Sequence, residues 1–543
     1  MSKIKWLVMI YLAGDNNLSE ECVYALTEMK KVGSNKDVAV FAQLDTGVHD
    51  NTPLFIKQSV KPGQTKDELN EVRDKKAKEK ARSKGKEKGL NYSEVIFNFV
   101  KECVDQYDEI EHTMFVLDGH ASGIVENFLR KEEADRIESL SVLSLAQLVE
   151  KIDKELLGGK GIDILGLDTC LMSMGEVAYL VRKSAKAMIG AEGFEPLGGW
   201  PYASVLSAVT DFAKNNATDI RPLAQRIVCD YIDFYSDYQA AGVSVDQSAC
   251  KLAECDTLML AVKSLSQVLL PCLEKVNTQV RNALILAHWE AQPYKNEQYV
   301  DLYDFCERLR HYCPDGNEEI RRACQNVMNA IRGSAAEGAA ASGADDNFLF
   351  EGPNNVTTAA NFRDLEGFII RSCYSGLTVQ YSFGVSIYFP WAEQPAALDI
   401  YKSVDFARDS RWLEFLQVYL EATKRAVRKG KGKLTNFHEN QTLGQFNVTT
   451  STFLYSDHKS GSPNKSGSPN KSGSPNKSGS PNKSGSPNKD LGNVIGSMRN
   501  PPTEFYQCVC TTDAPSTTKS KKSGGQQRKS TSSRQRWKSK YQR

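Results

Sequence analysis

The chain has 543 residues, 40% hydrophobic and 25% charged, with a net charge of +1, the balance of an ordinary globular protein. No run of 18 or more consecutive apolar residues occurs, so no membrane-crossing helix is expected. Thirteen cysteines, an odd number without framework spacing, argue against a disulfide scaffold and for a reducing, cytoplasmic setting.

The first two hundred residues alternate apolar runs with amphipathic stretches. Residues 3–14, "KIKWLVMIYLAG", place basic residues ahead of a short apolar run, as a secretory leader does. The preferred reading is a buried strand over Trp6–Leu12 that ends in a Gly-Asp-Asn turn. Further strands are expected at Val38–Leu44, Leu54–Val60, Thr113–Leu117, Ile162–Leu167 and Ala187–Ala191. Leu18, Cys22, Ala25, Leu26, Met29 and Val32 recur at helical spacing between the first two strands. Helices are also expected over Ser93–Gln106 and around Ser144–Leu156. Strand and helix alternating in this way imply an α/β fold, a mostly parallel central sheet flanked by helices on both faces. Such sheets carry their chemistry beyond the carboxyl ends of the strands.

Residues 64–89 are mostly charged and read as a solvated helix or a disordered loop. Residues 213–334 read as mainly helical, with long amphipathic stretches at Leu258–Val276 and Glu318–Ile331. The segment 334–346, "SAAEGAAASGADD", is a flexible connection. Strands are expected again at Leu377–Tyr381 and Val385–Phe389, and a last helix near Ser410–Val427. After about residue 429 the composition changes, and five copies of "SGSPNK" fill 460–489, a linker without a hydrophobic face. Cys508 and Cys510 are too few for a metal site by themselves. From Pro515 to Arg543 there are ten Lys and Arg and no acid, so the basic charge is concentrated in a tail. With Trp537 and Tyr541 among its cations, that tail suits contact with nucleic acid or an anionic membrane, and equally a solvated end. The expected division is a core over 1–210, a helical and β extension completing the same unit over 211–428, and a disordered linker and basic tail over 429–543.

Two strand ends carry reactive side chains. "TMFVLDGHASG" puts His120 just past the strand Thr113–Leu117, in a loop with Gly119 and Gly123. "IDILGLDTCLMSMGEV" puts Cys170 just past the strand Ile162–Leu167. The interval between them holds one crossover helix, so the two strands are expected to be neighbours in a right-handed βαβ unit. Both side chains then emerge at one sheet edge. Cysteine attacks as the thiolate, and a free thiol with a pKa of about 8.5 is mostly protonated at neutral pH. A helix beginning at Leu171, with Leu171, Met174, Val177, Ala178 and Val181 on one face, would set the sulfur at its positive end and favour the thiolate. His120 would act as acid toward a leaving amine or as base toward the thiol, and the backbone N–H groups of Ala121 and Cys170 would hold an oxyanion. The competing reading is a small core cysteine and an idle loop histidine. No CxxC or HxxxH pattern surrounds either residue, so no metal site is expected.

These two motifs, with "WLVMIYLAGDNNLSE" at 6–20, "YVDLYDFC" at 299–306 and "GVSIYFP" at 384–390, resemble the clostripain family of cysteine peptidases over roughly 1–425. The resemblance implies a caspase-like fold, Cys170 as nucleophile and His120 as its partner. It also implies cleavage after Arg or Lys in a protein substrate, with Asp168, two positions before the nucleophile, as the acid of the S1 pocket. A carboxylate there would pair with the substrate's cation; the other reading of Asp168 is a helix N-cap. Glu192 and Glu195, in "GAEGFEPLGGWPY" at 190–202, are further pocket candidates, the alternative being solvated loop carboxylates. The family commonly has Gly directly after the catalytic His, where this chain has Ala121; a backbone donor survives Ala unless the loop requires positive φ.

Many relatives mature by self-cleavage between His and Cys, and Arg130, Lys131 and Arg136 in "RKEEADR" are the candidate site here. Calcium assists some relatives, but no EF-hand-like spacing occurs, so no cofactor is expected from the residues themselves. A narrow intracellular target, as in bacterial defence, and broad digestion are both compatible with such an enzyme. The alternative from another class is a catalytically weak caspase-like scaffold whose basic tail recruits nucleic acid or membrane.

Overall fold

The computed structural model describes residues 3–45, 54–58, 92–129, 139–239, 242–275, 277–295, 297–333, 367–392 and 394–429. The charged loop 64–89, the SGSPNK repeats, the basic tail and the candidate self-cleavage residues Arg130, Lys131 and Arg136 lie outside them.

Thirteen strands are described, β1 Lys3–Ala13, β2 Val38–Asp45, β3 Leu54–Phe55, β4 Glu109–Asp118, β5 Asn127–Phe128, β6 Leu140–Ser141 and β7 Ile162–Asp168 in the first part. β8 Ala185–Gly190, β9 Val245–Lys251, β10 Pro293–Tyr294, β11 Tyr299–Asp301, β12 Ile369–Ser375 and β13 Ser386–Tyr388 follow. The main sheet runs β12-β9-β8-β7-β4-β1-β2-β3. β2, β1, β4, β7 and β8 are parallel neighbours. β3, β9 and β12 add antiparallel pairs at its two sides.

Alternation along β1 explains why the sheet is covered twice. Leu7, Met9 and Tyr11 join one buried cluster, which includes helices Tyr92–Val104 and Val142–Leu156. Trp6, Val8, Ile10 and Leu12 join the other, with helices Ser19–Val32, Tyr202–Lys214 and Arg221–Ser236. A strand with both faces buried reads as one apolar run, and each large side chain so covered contributes roughly 1.5–3 kcal/mol. The N-terminal stretch is thus an inner strand, paired with β2 on one side and β4 on the other.

From β1 the chain goes to β2 on one side and returns to β4 on the other, so strand order reverses beside β1. That reversal opens a crevice at the carboxyl edge, the usual ligand position in such sheets. Between β4 and β7 the crossover is the helix Val142–Leu156, capped by the Ser141 hydroxyl, which accepts the Ser144 N–H at 3.0 Å. A second, three-stranded sheet, β10-β11-β13, packs beside the Cys170 turn, with Ser386 donating its N–H to the Ser173 carbonyl at 2.9 Å.

Residues 213–334 are mainly helical, with β9, β10 and β11 set among the helices. Two expectations need correction. Leu377–Tyr381 is no strand: Leu377–Val379 forms a single 3-10 turn after Gly376, whose φ of +100° breaks the extended path. The strand is Ile369–Ser375 just before it. Among the described residues, the strand expected over Leu54–Val60 covers only Leu54–Phe55.

Candidate active site

β4 and β7 run in parallel with Asp118 opposite Asp168, so His120 and Cys170 each stand two residues beyond a matched pair. The Gly119 N–H donates to the Asp168 carbonyl at 3.2 Å and holds the two exits together. His120 shares a 2.5 Å hydrogen bond through Nε2 with Oδ1 of Asn17, in the turn after β1. An amide oxygen accepts, so Nε2 carries the proton and Nδ1 is left as the basic nitrogen.

Ala121 forms an antiparallel bridge with Phe128, and its φ is not positive, so the residue that departs from the family pattern fits its loop without strain. The loop that follows is clamped from the second sheet. The Tyr299 hydroxyl donates to the Ser122 carbonyl at 2.8 Å, and Lys295 Nζ donates to the same oxygen at 2.9 Å while pairing with Glu126. Gly123, at φ +84°, must be glycine here, because a Cβ would lie 2.4 Å from the Tyr299 ring.

The Cys170 turn differs from the expectation. No helix begins at Leu171, which has φ +64°; residues 171–173 instead pair with the segment that follows β8. Leu171 N–H donates to the Gly193 carbonyl and Ser173 N–H to the Ala191 carbonyl, each at 2.8 Å. The helix starts only at Gly175 and spans seven residues. Cys170 therefore gains no helix-end field, and burial pushes its thiol up to about 11 despite the Glu195 N–H, which points at Sγ from 3.3 Å. The resting sulfur is a thiol.

Below it lies a cluster of acids. Asp168 is 3% exposed, and its Oδ2 accepts the Trp200 N–H at 2.9 Å and the Tyr202 hydroxyl at 2.8 Å. It caps no helix. Burial raises its pKa to about 6. Glu195 is pushed well above the usual carboxyl range by burial and then by the charge of Asp168 beside it. Its Oε1 is 3.4 Å from both Trp200 Nε1 and Gln247 Nε2. Asp168 Oδ1 and Glu195 Oε2 have no hydrogen-bond partner among the described residues. Asp118, half-buried at the end of β4, is also raised, by burial and then by Asp168. Gly199 closes over the pair at φ +59°, where a Cβ would come within 2.9 Å of Asp168 Oδ2.

Glu192 is not part of this cluster. It is fully buried, its Oε2 accepts the Gly384 N–H at 2.6 Å, and it faces Asp301, whose charge helps raise its pKa after burial. It braces the Cys170 turn against the second sheet. Glu195 does join Asp168, but as a buried partner and not as a solvated loop acid. Asp246 on β9 accepts the N–H groups of Glu192 and Gly193 at 2.7 and 3.0 Å and so shapes the loop beside Cys170. Asn17, Asp118, Asp246 and Lys295 escaped sequence reasoning; only the "GDNN" turn at a strand end offered a signal, for Asn17. Among the described residues no three His, Cys, Asp or Glu side chains are grouped to hold a metal ion, so no step is assigned to calcium.

An open α/β sheet with a cysteine and a histidine at adjoining strand ends is the layout of a cysteine peptidase. The chain belongs to the clostripain family, whose family model matches residues 10–419. Among solved structures, it is similar to a secreted C11 cysteine protease from Bacteroides thetaiotaomicron bound to an irreversible peptide inhibitor. That similarity has 15% identity and a TM-score of 0.47, covering 75% of this chain and 99% of that one. It is also similar to an inactive zymogen C11 protease from Parabacteroides distasonis, at 17% identity and TM-score 0.44, over 76% of this chain and 99% of that one. None of the curated proteins compared matches the chain.

Proposed function

We propose that this clostripain-family peptidase cleaves proteins after Arg or Lys, with Cys170 as nucleophile, His120 as acid and base, and Asp168 with Glu195 as the floor of the S1 pocket. The observation that carries the reading is the β4–β7 register, which sets His120 and Cys170 at matched steps beyond Asp118 and Asp168.

Because burial holds the Cys170 thiol near 11, its proton must leave as the sulfur–carbon bond forms. His120 takes that proton on Nδ1, its Nε2–H being held by Asn17. The backbone N–H groups of Ala121 and Cys170 face the developing oxyanion. The tetrahedral adduct collapses to a thioester as His120 hands the proton to the leaving amine. Water, deprotonated by His120, then hydrolyses the thioester. Asp168, pushed up to about 6, is ionised at neutral pH, with Glu195 and Asp118 as further acids beside it. A guanidinium or ammonium group supplies the donors that the free carboxylate oxygens lack, a charge-assisted bond that neutral or acidic side chains cannot make.

Self-cleavage at Arg130, Lys131 or Arg136 belongs to the same proposal. The chain on either side of them is tied by the β5–β6 pair, Phe128 opposite Leu140, so a cut there leaves both ends attached to the core. A specific intracellular protein is the proposed natural substrate.

A fluorogenic Arg or Lys peptide assay on wild type and Cys170→Ala tests the reading. Release by wild type alone supports it; equal slow release by both overturns it.

A further inference from the structure

Away from the crevice, a pair of cysteines meets an arginine where the helix Arg221–Ser236 packs on β12. Cys229, on the helix, is partly exposed, while Cys373, on the edge strand β12, is buried. Each thiol lies near enough to be the leading influence on the other's ionisation. Arg371, two residues before Cys373 and so on the same side of the strand, donates from Nε to Cys373 Sγ at 3.2 Å, and its charge also acts on Cys229.

We propose that Cys229 and Cys373 form an oxidisable dithiol, with Cys229 as the sulfur that reacts with a hydroperoxide and Cys373 as the sulfur that resolves it. The Cys229 thiolate attacks the peroxide oxygen, breaking the O–O bond and releasing hydroxide, which takes up a proton to leave as water. Cys229 is then a sulfenic acid. The Cys373 thiol displaces its hydroxyl group, a disulfide forms, and the second oxygen leaves as water carrying the Cys373 proton. Two thiols are oxidised and one peroxide is reduced to two waters.

The local electrostatics agree with this division of labour. The neighbouring Cys373, and then the Arg371 charge, lower the Cys229 pKa from 9.0 to about 7, against burial and Asp233 one turn along the helix. Cys373 is pushed the other way, chiefly by Cys229 and by burial. A second pair offers a contrast. Cys306 and Cys324 also influence one another, but both are completely buried, so no oxidant reaches them.

The test uses the full chain carrying Cys170→Ala, which removes the crevice cysteine's own reaction with the reagents. Competitive alkylation at pH 7 should label Cys229 at least about fivefold faster than Cys272, the other partly exposed cysteine described. A pKa two units lower exposes roughly fifty times more thiolate, and lower nucleophilicity takes back about a factor of eight. Arg371→Met should remove most of that lead, and Arg371→Lys should keep part of it. Stoichiometric hydrogen peroxide followed by non-reducing peptide mapping should yield a Cys229–Cys373 link that dithiothreitol reverses. Cys373→Ser should leave a sulfenic acid at Cys229 that dimedone traps. Labelling of Cys229 no faster than Cys272, or peroxide treatment without that link in the folded chain, overturns the proposal.

Discussion

Replacing Asp168 by Asn separates what the fold wants from what the site needs. The buried carboxyl titrates near 6 in place of 3.8, because burial disfavours its charge more than Trp200 N–H and the Tyr202 hydroxyl restore. A shift of that size costs the native state about 3 kcal/mol once the group is ionised in both states. The folded pKa is the higher one, so this cost is absent below about 4, grows as pH rises and is complete above about 6. Asparagine keeps an oxygen for the Trp200 and Tyr202 donors and offers an N–H to Glu195, without the charge. Asp168→Asn should therefore raise unfolding free energy at pH 7.5 by about 2 kcal/mol in a urea titration, and change it little at pH 4. Turnover should move the opposite way. Losing the charge-assisted bond to a cationic P1 side chain should cost about 3 kcal/mol, roughly a hundredfold in kcat/KM for Arg substrates. Substrates with an uncharged P1 should change less than about threefold. In wild type, kcat/KM should fall more steeply for Arg substrates than for uncharged ones as pH drops through about 6, and the variant should lack that difference. Equal losses on charged and uncharged substrates, or a large loss of stability at pH 7.5, would refute the reasoning.

Three other substitutions probe the surroundings. Asn17→Ala removes the 2.5 Å bond on His120 Nε2 and should lower kcat about tenfold with KM little changed, read from full Michaelis curves. Gly199→Ala forces a Cβ to 2.9 Å from Asp168 Oδ2 at φ +59° and should destabilise the fold by about 1–2 kcal/mol in urea unfolding while weakening Arg-substrate turnover. Glu176, fully buried, accepts the Tyr388 N–H and the Tyr401 hydroxyl, and burial raises its pKa to about 7. Glu176→Gln should then stabilise by up to about 3 kcal/mol above pH 7, with the gain vanishing below about 4.5, as denaturant titrations at two pH values would show.

The parallel strands were legible because both faces are buried, which turns each into a short apolar run such as Trp6–Leu12 or Ile162–Leu167. Their carboxyl ends carried the sites with them, so Cys170 and His120 could be placed together from spacing. β9 was illegible for the opposite reason. In "VDQSACK" the polar side chains are buried to serve the site: Asp246 holds the loop beside Cys170, Gln247 meets Glu195, and Ser248 bonds Ser173 at 2.7 Å and the Gly384 carbonyl. β12 hid in the same way, since Arg371 lies buried within it and bonds Cys373 on the same strand. The helix expected at Leu171 failed because backbone partners at Ala191 and Gly193 outcompete an intrahelical ladder there, a contact between segments about twenty residues apart that periodicity does not register.

The central claim is that Cys170 attacks a carbonyl held by a cation beneath it. Treating the full chain with an N-acyl-arginine chloromethyl ketone, then mapping the adduct by peptide mass spectrometry, tests it directly. One adduct per chain, on Cys170, formed much faster than with the matching glutamate reagent and slowed by Asp168→Asn, is the predicted result. An adduct spread over other cysteines, or equal rates with the arginine and glutamate reagents, would contradict it.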